Sequence, residues 1–259
     1  MPENPLDDAE DTIIETVPAE EQEGFWDMLR TILYAVAIAI GVRTFAYEPF
    51  SIPSGSMIPT LLVGDYLFVS KMSYGYSRHS LPFSLPLIPG RVLFEAPERG
   101  DVAVFKLPSD TGKDFIKRII GLPGDVIQMR GGILHINGEP VKRDRVEDFV
   151  YRDTNDLYHN TVKYLETLPN GKVHEIIEES DGLLPDNTPP YTVPEGHFFA
   201  MGDNRDNSFD SRFPNVGFVP KDNLVGRAEF IFFSKDGAFL KIWEWPWTLR
   251  YSRFFNGIN

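Results

Sequence analysis

The sequence predicts a mostly β protein: antiparallel sheets with a smaller β-rich insertion, preceded by one N-terminal transmembrane helix. Three observations lead there. Beyond residue 65 the chain is a series of short runs rich in β-branched and aromatic residues, punctuated by glycine and proline. Gly and Pro number 21 each in 259 residues, an excess that suits turns between strands better than a helical bundle. One apolar segment stands alone near the N-terminus.

The chain opens on an acidic stretch. Residues 1–24 hold nine carboxylates and no Lys or Arg, so most of the net charge of -13 sits there. The remainder has 29 acidic against 25 basic residues, which is close to balanced. Residues 1–24 therefore read as a disordered acidic tail. No basic stripe exists to neutralise phosphates, which disfavours nucleic acid as a partner. The sequence has no cysteine, which excludes disulfides, zinc–thiolate sites and a cysteine nucleophile.

Residues 25–47 follow as the membrane segment. The uncharged run Thr31–Val42 is only 12 residues, short of the roughly 20 that span hydrocarbon. Apolar residues continue outside Arg30 and Arg43, whose long stems can snorkel, and Trp26, Tyr34, Phe45 and Tyr47 supply interfacial anchors. A span is favoured over a packed soluble helix. A cleaved leader is disfavoured, because an acidic stretch is the opposite of a basic n-region.

Strands are expected at Tyr66–Lys71, Asp101–Leu107, Asp114–Gly121, Val126–Arg130, Tyr191–Met201 and Leu224–Ser234. Gly131–Gly132 and Asn137–Gly138 have hairpin chemistry, and Asn170–Gly171 suggests a third turn. The charged stretch 142–190 reads as the insertion. Trp243, Trp245 and Trp247 mark a C-terminal segment that either packs or meets lipid.

Three segments carry candidate chemistry. In IPSGSMIPTLL, residues 52–62, Ser54 and Ser56 flank a glycine between Pro53 and Pro59. A serine on so constrained a turn, with backbone amides nearby, suits a nucleophile beside an oxyanion hole. Composition alone fits an ordinary loop better. In DFIKRIIGLPGD, residues 114–125, a lysine and an arginine sit among bulky apolar neighbours. Lys117 can lose its proton if desolvated, whereas a guanidinium stays charged, so Lys117 is the candidate base and Arg118 a structural cation. Two surface cations on an edge strand remain the plainer alternative. In MGDNRDNSFDSR, residues 201–212, a calcium loop fails on spacing: from Asp203, Ser208 falls where glycine belongs and Pro214 where glutamate belongs. Pairing of its carboxylates with Arg205 and Arg212 is expected to fix a tight loop presenting Ser208. Of the five histidines, only His197 lies near one of these segments, so a histidine base is a minor alternative.

Together these segments resemble bacterial type I signal peptidases. IPSGSMIPTL resembles the family's serine box, RGDVAVFK the strand that follows, DFIKRIIGLPGD the lysine box and MGDNRDNSFDSR the C-terminal signature. The resemblance runs from about Phe45 to Phe233 and is weakest over 142–190. It implies Ser56 as nucleophile and Lys117 as general base, with the Ser54 hydroxyl and the Ser56 N–H as oxyanion hole. It also implies that Ser208 orients the lysine, supported by Asp210 and Arg212, and that Phe50, Ile52, Met57, Leu61, Phe115 and Ile116 line the substrate pockets. Its catalytic domain would comprise 48–141 and 191–259. The partners implied are exported preproteins, with small residues at positions −1 and −3 of their signal peptides, and the lipid bilayer; no cofactor or metal is implied. The chain would be a single-pass protein of the plasma membrane, its catalytic domain on the extracytoplasmic side. The sequence FPNVGFVP after Arg212 departs from the family's commoner RxWG form. Two rivals stand beside this expectation: a self-cleaving serine/lysine protease of the SOS-repressor type, and an inactive membrane-tethered binder of exported chains.

Overall fold

A computed structural model describes residues 24–81, 84–153, 157–180, 182–237 and 242–258. The acidic stretch expected at 1–24 thus lies almost wholly outside the described residues. The chain divides into two units, 1–39 and 40–259.

The apolar segment is a helix, Phe25–Phe45, of 21 residues. At about 1.5 Å per residue it is long enough to cross the roughly 30 Å of a bilayer's hydrocarbon. Trp26, Leu33, Ile38 and most of its other large apolar side chains are exposed. It exceeds the uncharged run because both arginines are included: Arg30 lies 3.8 Å from Asp27, and Arg43 is 2.7 Å from Glu48. It stops at Phe45, short of the expected 47, because Tyr47 already begins a strand. That strand, Tyr47–Ser51, lies at a sheet edge, where Pro49 costs no ladder bond.

Among the described residues the strands form four sheets, with antiparallel pairing throughout. The largest has seven strands in the order Tyr47–Ser51, Asp65–Ser70, Leu224–Ser234, Val102–Leu107, Asp110–Gly121, His197–Met201 and Val219–Pro220. Chain-distant segments become neighbours in it, so the 114–125 and 201–212 segments lie side by side. Both faces are covered. Ile52, Met57, Leu67, Val69, Val104 and Ile231 fill one core cluster, and Phe105, Ile119, Phe198 and Leu224 another. Each such side chain contributes about 1.5–3 kcal/mol by leaving water.

The expected strands are present, with one-residue shifts at Asp65–Ser70 and Val102–Leu107 and two larger differences. Asp114–Gly121 begins earlier, at Asp110. The run Tyr191–Met201 is two strands, because Pro194 and Gly196 (φ 69°) turn the chain between them. Tyr191–Thr192 pairs with Val126–Ile127, whereas His197–Met201 joins the main sheet. Both short hairpin turns hold two consecutive residues at positive φ: Gly131 (53°) and Gly132 (74°), then Asn137 (56°) and Gly138 (88°). That pattern matches the twist of the strands they join.

Within 142–190, strands Lys142–Arg152, Tyr158–Thr167 and Val173–Glu178 make a separate three-stranded sheet. Its residues belong to the same compact unit as the main sheet. At the C-terminal end Trp245 packs against Phe233 with ring centroids 5.4 Å apart, while Trp247 is 82% exposed. Packing and exposure therefore coexist in that segment.

Candidate active site

Ser56 and Lys117 reach one another from different elements. Ser56 sits in a single helical turn, Gly55–Met57, directly after the edge strand. The backbone bonds Ile52 N–H to Asp65 O (2.9 Å) and Gly64 N–H to Ile52 O (3.0 Å) close the connection that carries this turn. Lys117 stands on Asp110–Gly121, paired with Ala103 on one neighbouring strand. Its Nζ donates to Ser56 Oγ at 2.6 Å and to the Ile116 carbonyl at 2.9 Å. Ser56 is 8% exposed and Lys117 4%.

Burial dictates the charge of that amine. Removal from water pushes the Lys117 pKa down from 10.5 to about 8; the carboxylates of Asp210 and Asp203 oppose the shift, and Arg212 adds to it. An ammonium beside the Phe115 ring and the Ile116 carbonyl has lost its hydration without gaining a contact carboxylate. The plainer alternative of two surface cations does not hold for either residue, since Arg118 is also buried. It forms a bidentate pair with Asp203, Nε–Oδ1 at 2.8 Å and Nη2–Oδ2 at 2.7 Å.

The 201–212 loop leaves a strand adjacent to the lysine strand and is fixed by charge. Arg212 and Asp210 pair through Nε–Oδ1 and Nη2–Oδ2, both at 2.9 Å, and Gly202 N–H donates to Asp210 Oδ2 at 3.0 Å. Despite burial, Asp210 stays below the usual carboxylate range because Arg212 is beside it. One expectation needs correction. Arg205 does not pair with the loop's own carboxylates; it makes a bidentate pair with Glu166 of the three-stranded sheet. Ser208 is buried near Gly202, but no hydrogen bond joins its hydroxyl to Lys117. Among the described residues the lysine's hydrogen-bond partners are Ser56 and Ile116, and the Ser208 hydroxyl lies against Gly202.

Asn204 is a residue that the sequence reading missed. Its backbone N–H donates to Ser56 O at 3.1 Å, and its side chain donates to Gly55 O at 3.1 Å and Tyr151 Oη at 3.2 Å. It therefore clamps the serine turn to the insertion sheet. Nothing in the pattern around Asn204 pointed to partners 149 and 53 residues away.

A cavity of about 550 Å³ opens at the pair. Phe50, Ile52, Phe115 and Ile116 line it, together with Ser54 and Ser56. Met57 and Leu61 do not; both are 0% exposed and belong to the core. The helical turn at Gly55–Met57 reverses the alternation that an extended chain would follow, sending Met57 inward. Val104, Asp114, Lys117, Asn207 and Phe209 also line it. Of the histidines, His197 bonds the Glu195 carbonyl, and the hydroxyl of Ser56 meets a lysine instead.

Gly202 is tight against this arrangement. A Cβ there would lie 2.4 Å from Ser56 O and 2.2 Å from Ser208 Oγ. Gly202→Ala is expected to displace the serine turn and lower kcat/KM about 100-fold, the usual effect of a misplacement near 1 Å. Steady-state kinetics on a variant with wild-type circular dichroism checks this.

A β domain that sets a serine hydroxyl against a buried lysine amine has the form of a serine peptidase site. Residues 25–233 match the family model described as signal peptidase, peptidase S26. A signal peptidase I of Rickettsia typhi is 40% identical over 247 residues, covering 87% of this chain and 90% of the relative. One from Rickettsia canadensis is 39% identical, covering 88% and 92%. A solved signal peptidase I from Enterococcus faecalis shares 29% identity over 51% of this chain and 97% of its own, with a TM-score of 0.31. The chain belongs to the signal peptidase family of serine peptidases.

Proposed function

We propose that the protein is a membrane-anchored endopeptidase that cuts signal peptides from exported preproteins by a Ser56 nucleophile and a Lys117 general base. The observation that carries this reading is the 2.6 Å contact between a buried amine and a hydroxyl at the mouth of an apolar cavity. Neutral Lys117 takes the hydroxyl proton as Ser56 Oγ attacks the scissile carbonyl carbon. The oxyanion is stabilised by the Ser56 N–H and the Ser54 hydroxyl. The lysine then gives its proton to the leaving amine, and an acyl-enzyme ester remains. Water attacks that ester, Lys117 again accepting the proton, and the signal peptide leaves as a carboxylic acid. Asp210 and Arg212 hold the adjoining loop, with Ser208 beside it.

Phe50, Ile52, Phe115 and Ile116 give the cleft an apolar wall suited to small residues at −1 and −3. The helix Phe25–Phe45 supports single-pass anchoring, with 48–141 and 191–259 as catalytic domain on the extracytoplasmic side and the acidic tail inside. Protease accessibility of that domain in intact spheroplasts tests the orientation. The direct test of the chemistry is a serine-reactive signal-peptide mimic. Mass spectrometry should find the acyl adduct on Ser56, and an adduct elsewhere would remove the assignment.

The pH dependence follows from the amine. Neutral Lys117 is the active form, so activity is present above its pKa and lost as pH falls. With that pKa near 8, kcat/KM should drop almost tenfold per unit below about 7.5 and level off above about 8.5. A profile flat from pH 6 to 9 would show that Lys117 is not the titrating base.

A further inference from the structure

The cleft at Ser56 adjoins a second cavity of about 440 Å³. Phe50 and Asp114 line both, so the two are parts of one trough. The second part is charged where the first is apolar. Arg43, Lys71 and Lys106 face Glu48 and Asp114 across it. Glu48 is shared by Arg43 (2.7 Å) and Lys71 (2.9 Å), and Lys106 Nζ lies 2.9 Å from Asp114. His79, also on the wall, is held neutral: burial first, and then the nearby Arg78, Lys106 and Arg91, lower its pKa to about 4. Three cations against two carboxylates leave this part of the trough positive.

Its position along a bound chain follows from strand geometry. Asp114 and Lys117 are three residues apart on one strand, about 10 Å at roughly 3.3 Å per residue. An extended substrate covers that distance in about three residues, so the second cavity meets the next few. Direction follows from the anchor. Arg43 and Thr44, in the last turn of the helix, line the second cavity. A substrate whose apolar segment lies in the same bilayer enters the trough from that end, with its upstream residues there.

We propose that the second cavity is an extended subsite taking about the fourth to sixth residues upstream of the cut bond, selecting acidic or neutral polar side chains over basic ones, with Lys106 as the residue that sets the preference. The inference rests on the cleavage reading above. A basic side chain at this point meets Arg43 and Lys106 in a partly desolvated space, where like charges repel more than in water. An acidic one completes the balance that two carboxylates leave short.

The test uses three preproteins identical except for Asp, Asn or Lys at the fifth residue upstream. Their kcat/KM is measured with the full-length detergent-solubilised enzyme and its Lys106→Gln and Lys106→Glu variants, at low salt and at about 0.5 M salt. The wild type should prefer Asp over Lys about fivefold. The ratio should approach one in Lys106→Gln and in high salt, and reverse in Lys106→Glu. If Glu beside Asp114 prevents folding, the Gln variant decides alone. An Asp-to-Lys ratio that stays the same in every folded enzyme, with the Asn substrate still cut, overturns the subsite and leaves the cleavage reading standing. Failure of the wild type to cut any of the three overturns both.

Discussion

A Lys117→Met variant is expected to lose cleavage to background and, at neutral pH, to be more stable than the wild type. The loss follows from removing the only base in contact with Ser56 Oγ among the described residues. The gain follows from linkage. Folding lowers the lysine pKa from 10.5 to about 8, so the unfolded chain holds the proton more tightly. That costs stability fully below pH 8, and the cost fades as pH rises from about 8 to 10.5. At pH 7 the difference is worth about 3 kcal/mol, at roughly 1.36 kcal/mol per pKa unit. Methionine fills similar space with no charge to desolvate. Loss of the bonds to Ser56 and Ile116 offsets part of the gain, leaving about 2 kcal/mol, or roughly 4–8 °C in Tm for a domain of this size. Lys117→Arg should be equally inactive, since guanidinium does not become a neutral base, but without the gain in stability. A calorimetric scan beside a preprotein cleavage assay checks both halves. A methionine variant that melts earlier than wild type at pH 7 would show that the amine is not held at an energetic cost.

The second large effect lies away from the catalytic pair. Glu166→Leu strands the Arg205 guanidinium, 1% exposed, with its countercharge gone. Breaking a buried pair from one side typically costs 3–5 kcal/mol. The urea midpoint should fall accordingly, with the slope unchanged. The double variant Glu166→Leu/Arg205→Met should recover most of that loss, because no charge remains to desolvate. Activity should recover less, since Arg205 also accepts a bond from Arg212 Nη2 at 2.6 Å through its carbonyl, and side-chain replacement shifts that loop. Equal stability of the single and double variants would mean that the pair does not behave as a buried unit.

Much of the main sheet could be read in advance because each of its strands carries its own signal. Val102–Leu107 and Leu224–Ser234 are dense in β-branched and aromatic residues, and the Gly-Gly and Asn-Gly turns have few backbone solutions. The pairing of Ser56 with Lys117 was legible through the resemblance, not through periodicity. Neither residue looks unusual until the sheet order brings them together. What escaped is long-range. Whether Arg205 bonds Asp203, Asp206 or Glu166 depends on which carboxylate the fold delivers within 3 Å, and composition is silent on that. Met57 lies in the core for a local reason, a single helical turn that changes the side-chain period over three residues. The departure near Pro194 was visible in the residues themselves: a proline and a glycine inside an otherwise extended run.

The bonds from Asn204 to Tyr151 and from Arg205 to Glu166 carry a consequence for engineering and for divergence. The peripheral sheet is a splint for the serine turn, and these two side-chain attachments, beside the backbone bonds of Ile177 to Asp203 and Arg205, are written in parts of the gene far apart from one another. A chimera that imports 142–190 from another member would arrive with foreign attachment points, and its reactive turn would be loosened although every reacting atom was retained. Transplanting positions 204 and 205 along with the graft is what should restore turnover.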